Sequence, residues 1–171
     1  MSNENNQEFY EEEVEGGGGN FLKAIVLISI VGFAAIVFLQ ENAVLNNQQI
    51  LTPEEVGDEL VLSISSLSTD AQFYVYNAED VKIYFFAVIG SDNEVHIAFD
   101  ACDLCYPEKK GYSQNNIEII CNNCGNRFSI NGIGTENLQG GCWPGHLPVT
   151  VANGEVHIKI SDVVLKKYMF E

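Results

Sequence analysis

The residues of this chain with the clearest chemistry are its five cysteines. Four form two C-x-x-C pairs, Cys102-x2-Cys105 and Cys121-x2-Cys124, and Cys142 stands apart. An odd count in this pattern points to metal rather than to a disulfide framework. A C-x-x-C turn curls both sulfurs toward one centre and turns backbone N–H groups toward them. Gly125, directly after the second pair, suits the positive φ such a knuckle commonly uses. Four thiolates at Cys102, Cys105, Cys121 and Cys124 match zinc or iron–sulfur chemistry, both soft enough for sulfur. Paired local disulfides would close short, strained loops. On spacing alone, structural zinc is favoured over iron–sulfur.

Cys142 lies in GGCWPGHLP. It is expected either as a fifth or replacement ligand, or as a thiol packed under that loop. His146 in the same loop is a candidate for copper or a second metal. His96 and His157 alternate with apolar residues in EVHIAFD and EVHIKI, so they are expected on a solvent face rather than at the metal. Lys109, Lys110 and Arg127 are the main positive charges near the cysteines, placed to offset cluster charge or meet an acidic partner. Trp143 and Tyr112 are placed to shield the site from water.

The cysteines need a frame. From Glu59 onward, short runs rich in Val, Ile, Tyr and Phe read as strands: ELVLSIS, QFYVYN, VKIYFFAVI, EVHIAFD, IEIIC, RFSI, PVTVA and EVHIKI. Asn153-Gly154 is a hairpin turn and Ser91-Asp92-Asn93 a looser one. Thr52-Pro53-Glu54-Glu55 reads as a short helix start, and SDVVLKKY as a closing helical turn. The class is all-β, a small barrel or sandwich over 59–171, with both C-x-x-C pairs in loops at strand ends.

Residues 1–20 are Glu- and Asn-rich and end in four glycines, a disordered acidic tail. Residues 21–40 are nearly free of charge. At 1.5 Å per residue they span roughly 30 Å, a bilayer core, and read as one transmembrane helix. A signal peptide fits less well, because the preceding segment is acidic and no A-x-A site follows. A pilin-like filament helix is a further alternative. Lys23 at the N-terminal edge places the N-terminus inside and the C-terminal domain outside the cytoplasm. Residues 41–58 read as a linker. The net charge is −16, which argues against nucleic acid as a partner and against a polybasic membrane patch.

The stretch 100–160 resembles a Rieske-type cluster domain: two cysteine loops, a Gly/Pro-rich covering loop (GGCWPGHLP), then a hairpin. It departs from that pattern in having Cys where each Rieske loop carries one His, and four thiolates lower the potential relative to His ligation. A closer resemblance, over roughly 81–160, is to the FtrD-like family of membrane iron–sulfur proteins. It rests on IYFFAV, DACDLC, KGY, CNNCGNRF, the 131–134 turn and GGCWP. It implies a membrane-anchored extracytoplasmic centre, 2Fe–2S by the Rieske likeness, with Cys102, Cys105, Cys121 and Cys124 as ligands. It also implies an electron carrier linked to iron transport or respiratory redox, facing a membrane redox or iron-permease partner. No nucleophile–base pair or paired carboxylates stand out, so a carrier is expected rather than an enzyme. The alternatives are a structural zinc module and a copper- or iron-binding envelope or filament protein.

Overall fold

The structure is a computed structural model that describes residues 49–171. The predicted acidic tail, the predicted transmembrane helix and residues 41–48 of the predicted linker lie outside the described residues. Among the described residues no helix is long and apolar enough to cross a membrane.

Among the described residues, eleven strands make three sheets. The central sheet runs β1 (Ile50–Leu51), β4 (Gln72–Ala78), β5 (Val81–Ile89) and β6 (Val95–Phe99). A second sheet orders β10 (Thr150–Ala152), β11 (Glu155–Lys159), β3 (Glu59–Ser63) and β2 (Glu54–Val56). The third is small: β7 (Tyr112–Asn115), β8 (Glu118–Cys121) and β9 (Arg127–Ser129). The expected all-β class holds, but each sheet has open edges and none closes into a barrel.

Strand β5 shows why the sheets stack. Its side chains alternate between two cores, because successive residues of a strand point to opposite faces. Ile83, Phe85 and Ala87 meet Leu60, Leu62, Val156 and Ile158 of the second sheet. Phe86 and Val88 face the other way, toward Tyr112, Ile119 and Phe128 of the third. A strand buried on both sides reads as a near-continuous apolar run, as VKIYFFAVI does.

Two expectations change. Residues 54–56 are strand β2, not the start of a helix: Gly57, at φ +64°, and Asp58 reverse the chain so that Glu54 pairs with Val61 and Val56 with Glu59. His96 is buried rather than solvent-facing, because β6 also lies in the doubly covered sheet. Its Nδ1 lies 3.0 Å from the Ile133 carbonyl and its Nε2 3.1 Å from the Asp92 carboxylate. His157 is half-buried beside Glu59. The Asn153-Gly154 hairpin is present, with φ +54° and +82°. The closing helical turn is α1 (Ile160–Val164).

Candidate metal centre

Both C-x-x-C pairs sit where a strand stops. The first follows β6 and the second begins at the last residue of β8. In each, the carbonyl of the leading cysteine accepts a backbone N–H four positions on: Tyr106 N–H reaches Cys102 at 3.0 Å and Gly125 N–H reaches Cys121 at 2.9 Å. The Cys105 N–H also points at Cys102 Sγ, 3.2 Å away. Gly125 has the expected positive φ, +76°. Pairing of Tyr112 with Cys121 across β7 and β8 sets the second knuckle beside the first.

Cys142 arrives by a different route. Its loop is bolted to the end of β6 by two backbone bonds, Phe99 N–H to the Gly145 carbonyl (2.8 Å) and Gly145 N–H to the Ala101 carbonyl (2.9 Å). Only glycine fits that position easily: a Cβ on Gly145 would come within 3.1 Å of the Ala101 carbonyl oxygen and 3.3 Å of Phe99 Cβ.

The result is a compact group. One sulfur each from Cys105, Cys121, Cys124 and Cys142 lies within 4.8 Å of all the others. Cys102 adjoins this quartet, its Sγ 3.5 Å from that of Cys142. All five predicted sulfurs therefore converge, with Cys142 inside the tightest group and Cys102 at its edge. His146 is not part of the quartet; its backbone bridges to Ala98. Cys102 and Cys121 are buried and Cys124 is exposed, so one edge of the group reaches the surface.

The surroundings divide the thiols electrostatically. The Asn126 backbone N–H pulls Cys124 down to about 7. Burial pushes Cys102 up, but the N–H groups of Cys105 and Leu104, with hydrogen bonds from Tyr112 and Cys142, together hold its pKa below the ordinary thiol value. Burial pushes Cys142 well up. Cys105 is raised as well: the Asn123 side chain lowers it, but burial, the Cys121 thiol and the Cys102 charge prevail. Such uneven proton affinities in one cluster are what closely packed thiols show before a cation compensates their charge.

Two aromatic residues lie near the thiols, Tyr112 against a sulfur and Trp143 next to Cys142 in sequence and packed on the same core. Tyr112 is buried, its hydroxyl 3.9 Å from Cys142 Sγ. Trp143 packs edge-on against Phe128 and donates its indole N–H to the Thr135 carbonyl. Arg127 is paired with Glu118 at 2.8 Å, while Lys110 bonds Asn123 inside the second knuckle. Two contributors escaped the sequence reading. Asp100 accepts the Tyr112 amide at 2.6 Å, and burial, against that bond, pushes its carboxyl up to about 7. Asn122 ties the knuckle to the Lys110-Gly111 backbone. The doubled Asn within CNNC is the only trace of that tie in the sequence.

The donor set fits a soft metal. A tetrahedral ion with metal–sulfur bonds of about 2.3 Å needs sulfurs about 3.8 Å apart, and the quartet's sulfurs, all within 4.8 Å of one another, need move little to meet it. The family described as membrane iron-sulfur containing protein FtrD-like matches residues 67–170, which takes in both knuckles and Cys142. The chain belongs to this FtrD-like family. A comparison with curated proteins finds no match. The FtrD-like match begins before β4 and ends after α1, so it covers β4, β5 and β6 of the central sheet and the whole third sheet as well as the cysteine loops.

Proposed function

We propose that this chain is a membrane-anchored, extracytoplasmic iron–sulfur protein that carries single electrons in iron transport or respiratory redox. The observation that carries this reading is the four-thiol quartet in a chain of a membrane iron–sulfur family. Iron held by thiolates supplies one-electron chemistry whose potential follows charge, hydrogen bonds to sulfur and solvent exposure.

The protein's own residues serve that role in definite ways. Tyr112 and the second core exclude water from the inner side of the site. N–H groups of Cys105 and Asn126 favour the thiolates of Cys102 and Cys124. The exposed Cys124 edge offers a short path to a docked redox or iron-permease partner. The predicted helix at 21–40 holds the domain at the membrane. The two strand-end loops and the Cys142 loop supply the Rieske-like arrangement, with thiols throughout. Acidity argues against nucleic acid as a partner.

The compactness of the quartet favours a second reading of the cofactor, a single tetrahedral ion. A 2Fe–2S centre puts its thiolates in pairs on two irons, which spreads them beyond one tetrahedron. Full-length protein purified in detergent without oxygen separates these readings. Iron with acid-labile sulfide and a reversible colour change on reduction supports the cluster. Iron without sulfide supports the single ion and keeps the carrier role. Colourless protein holding one zinc overturns the electron-carrier proposal.

A further inference from the structure

A cavity of about 340 Å³ opens beside the thiols, with Cys102, Cys105 and Cys121 in its wall. That size lies within the range of small-molecule sites. In a chain with net charge −16 and only eight Lys and Arg, three lysines, Lys82, Lys109 and Lys110, line this one cavity. Of the other basic residues among those described, Lys159 is also unpaired but lies outside the cavity. Arg127, Lys166 and Lys167 pair with Glu118, Asp103 and Glu79. Lys82, Lys109 and Lys110 make no ion pair among the described residues. The one carboxyl in the wall, Asp100, is held by the Tyr112 amide.

The lysine loop is anchored. The Lys109 N–H bonds the Tyr106 carbonyl at 3.0 Å. The Asn122 side chain donates to the Lys110 carbonyl at 2.9 Å, and the Asn122 N–H to that of Gly111 at 3.1 Å. The backbone that presents two of the cations is thus fastened to the second cysteine knuckle. Uncompensated ammonium groups around a concave site attract anions. Tyr84, Met169 and Phe170 give the same cavity an apolar wall, which an inorganic oxyanion would leave facing water.

The geometry points to a binding site for a small organic polycarboxylate, seated beside the thiol quartet. Its carboxylates meet Lys82, Lys109 and Lys110, and its carbon skeleton covers the aromatic wall. The inference concerns binding and holds whichever metal the thiols carry.

The test is calorimetric titration of the full-length, metal-loaded protein in detergent with tricarballylate, a tricarboxylate that chelates metals weakly. Saturable one-site binding is expected, weakened several-fold by raising salt from about 50 to 200 mM. The pair Lys109→Gln with Lys110→Gln should weaken it ten-fold or more, and Lys82→Gln several-fold. Lys159→Gln, outside the cavity, should leave it unchanged. Metal content and visible spectrum report whether each variant is intact, and Lys82→Gln on β5 serves if the loop variant does not fold. No binding at millimolar tricarballylate, or equal binding by Lys82→Gln, overturns the site. Phosphate binding as tightly overturns the organic ligand, and a tetraglutamate peptide binding more tightly overturns the small molecule in favour of a protein's acidic segment.

Discussion

The sulfurs of Cys102 and Cys142 lie 3.5 Å apart, although 40 positions separate them in the chain. The contact exists because Gly145 fastens the Cys142 loop to the residues on either side of Asp100. It puts a fifth thiol against a group that needs only four, and the two cysteines are then not equivalent.

Replacing each cysteine should expose that difference. Cys121→Ser should abolish metal binding. Cys142→Ser, which removes a member of the quartet, should weaken it severely. Cys102→Ser should retain metal with about ten-fold lower affinity, the scale of a supporting residue, and a shifted absorption spectrum. Metal-to-protein ratios after dialysis against a graded chelator series decide this; loss of all metal in Cys102→Ser would make Cys102 a ligand in its own right.

Cys124 should be the most reactive thiol of the metal-free protein near neutrality. It is exposed, and the Asn126 N–H lowers its pKa to about 7. The thiolate is the nucleophile, so its alkylation rate should rise through pH 7 and level off above it. Cys105 and Cys142, with raised pKa values, should still be climbing at pH 9. Peptide mapping after timed iodoacetamide treatment measures all three.

Asp100 should give the metal-free protein a pH-dependent stability. Its pKa is raised by burial from the ordinary carboxylate range to about 7. Between those values the folded state binds the extra proton, so stability falls as pH rises from about 4 to 7. Asp100→Asn keeps an acceptor for the Tyr112 amide but has no charge to bury. Urea titrations should show a flatter profile across that window and a more stable variant at pH 8. A parallel profile for the two proteins would remove Asp100 as the cause.

Gly145→Ala should loosen the Cys142 loop. The new Cβ would crowd the Ala101 carbonyl and the Phe99 side chain; overpacking of this kind costs about 1–3 kcal/mol. Because that loop delivers Cys142, metal affinity should fall together with stability, which chelator titration beside urea unfolding would show.

Adjacent phenylalanines on β5 provide a sharper comparison. Phe85 and Phe86 are both fully buried, and each change to Ala should cost about 3–5 kcal/mol. Phe85 lies in the core shared with the second sheet, and Phe86 in the one that holds Tyr112, Cys102 and Cys121. Only Phe86→Ala should therefore alter the visible spectrum of the metal-loaded protein.

Much of this was legible in the sequence because it is local. The alternation in VKIYFFAVI and the Asn153-Gly154 turn are properties of neighbouring residues, and both elements form as read. The knuckles are local too, each closed by an N–H four positions on. What escaped depends on distant pairings. Strand β3 lies between β2 and β11, and the pairing of Val61 with His157 has no signature near either residue. The alternation around His96 shows two faces but not that both are covered. The place of Cys142 depends on Gly145 fitting against Phe99, a contact that exists only once β6 has formed.

The second core has one further consequence. Phe73, Phe86, Ile119 and Phe128 pack in one cluster with Tyr112, Cys102 and Cys121, so the same side chains serve as hydrophobic filling and as the inner lining of the sulfur group. The core between the central and second sheets carries no such double duty and can drift in sequence as long as volume is kept. Substitution across homologues should then be lopsided: free exchange among aliphatic residues at Leu60, Leu62, Val156 and Ile158, and near-constant aromatic identity at Phe86, Tyr112 and Phe128.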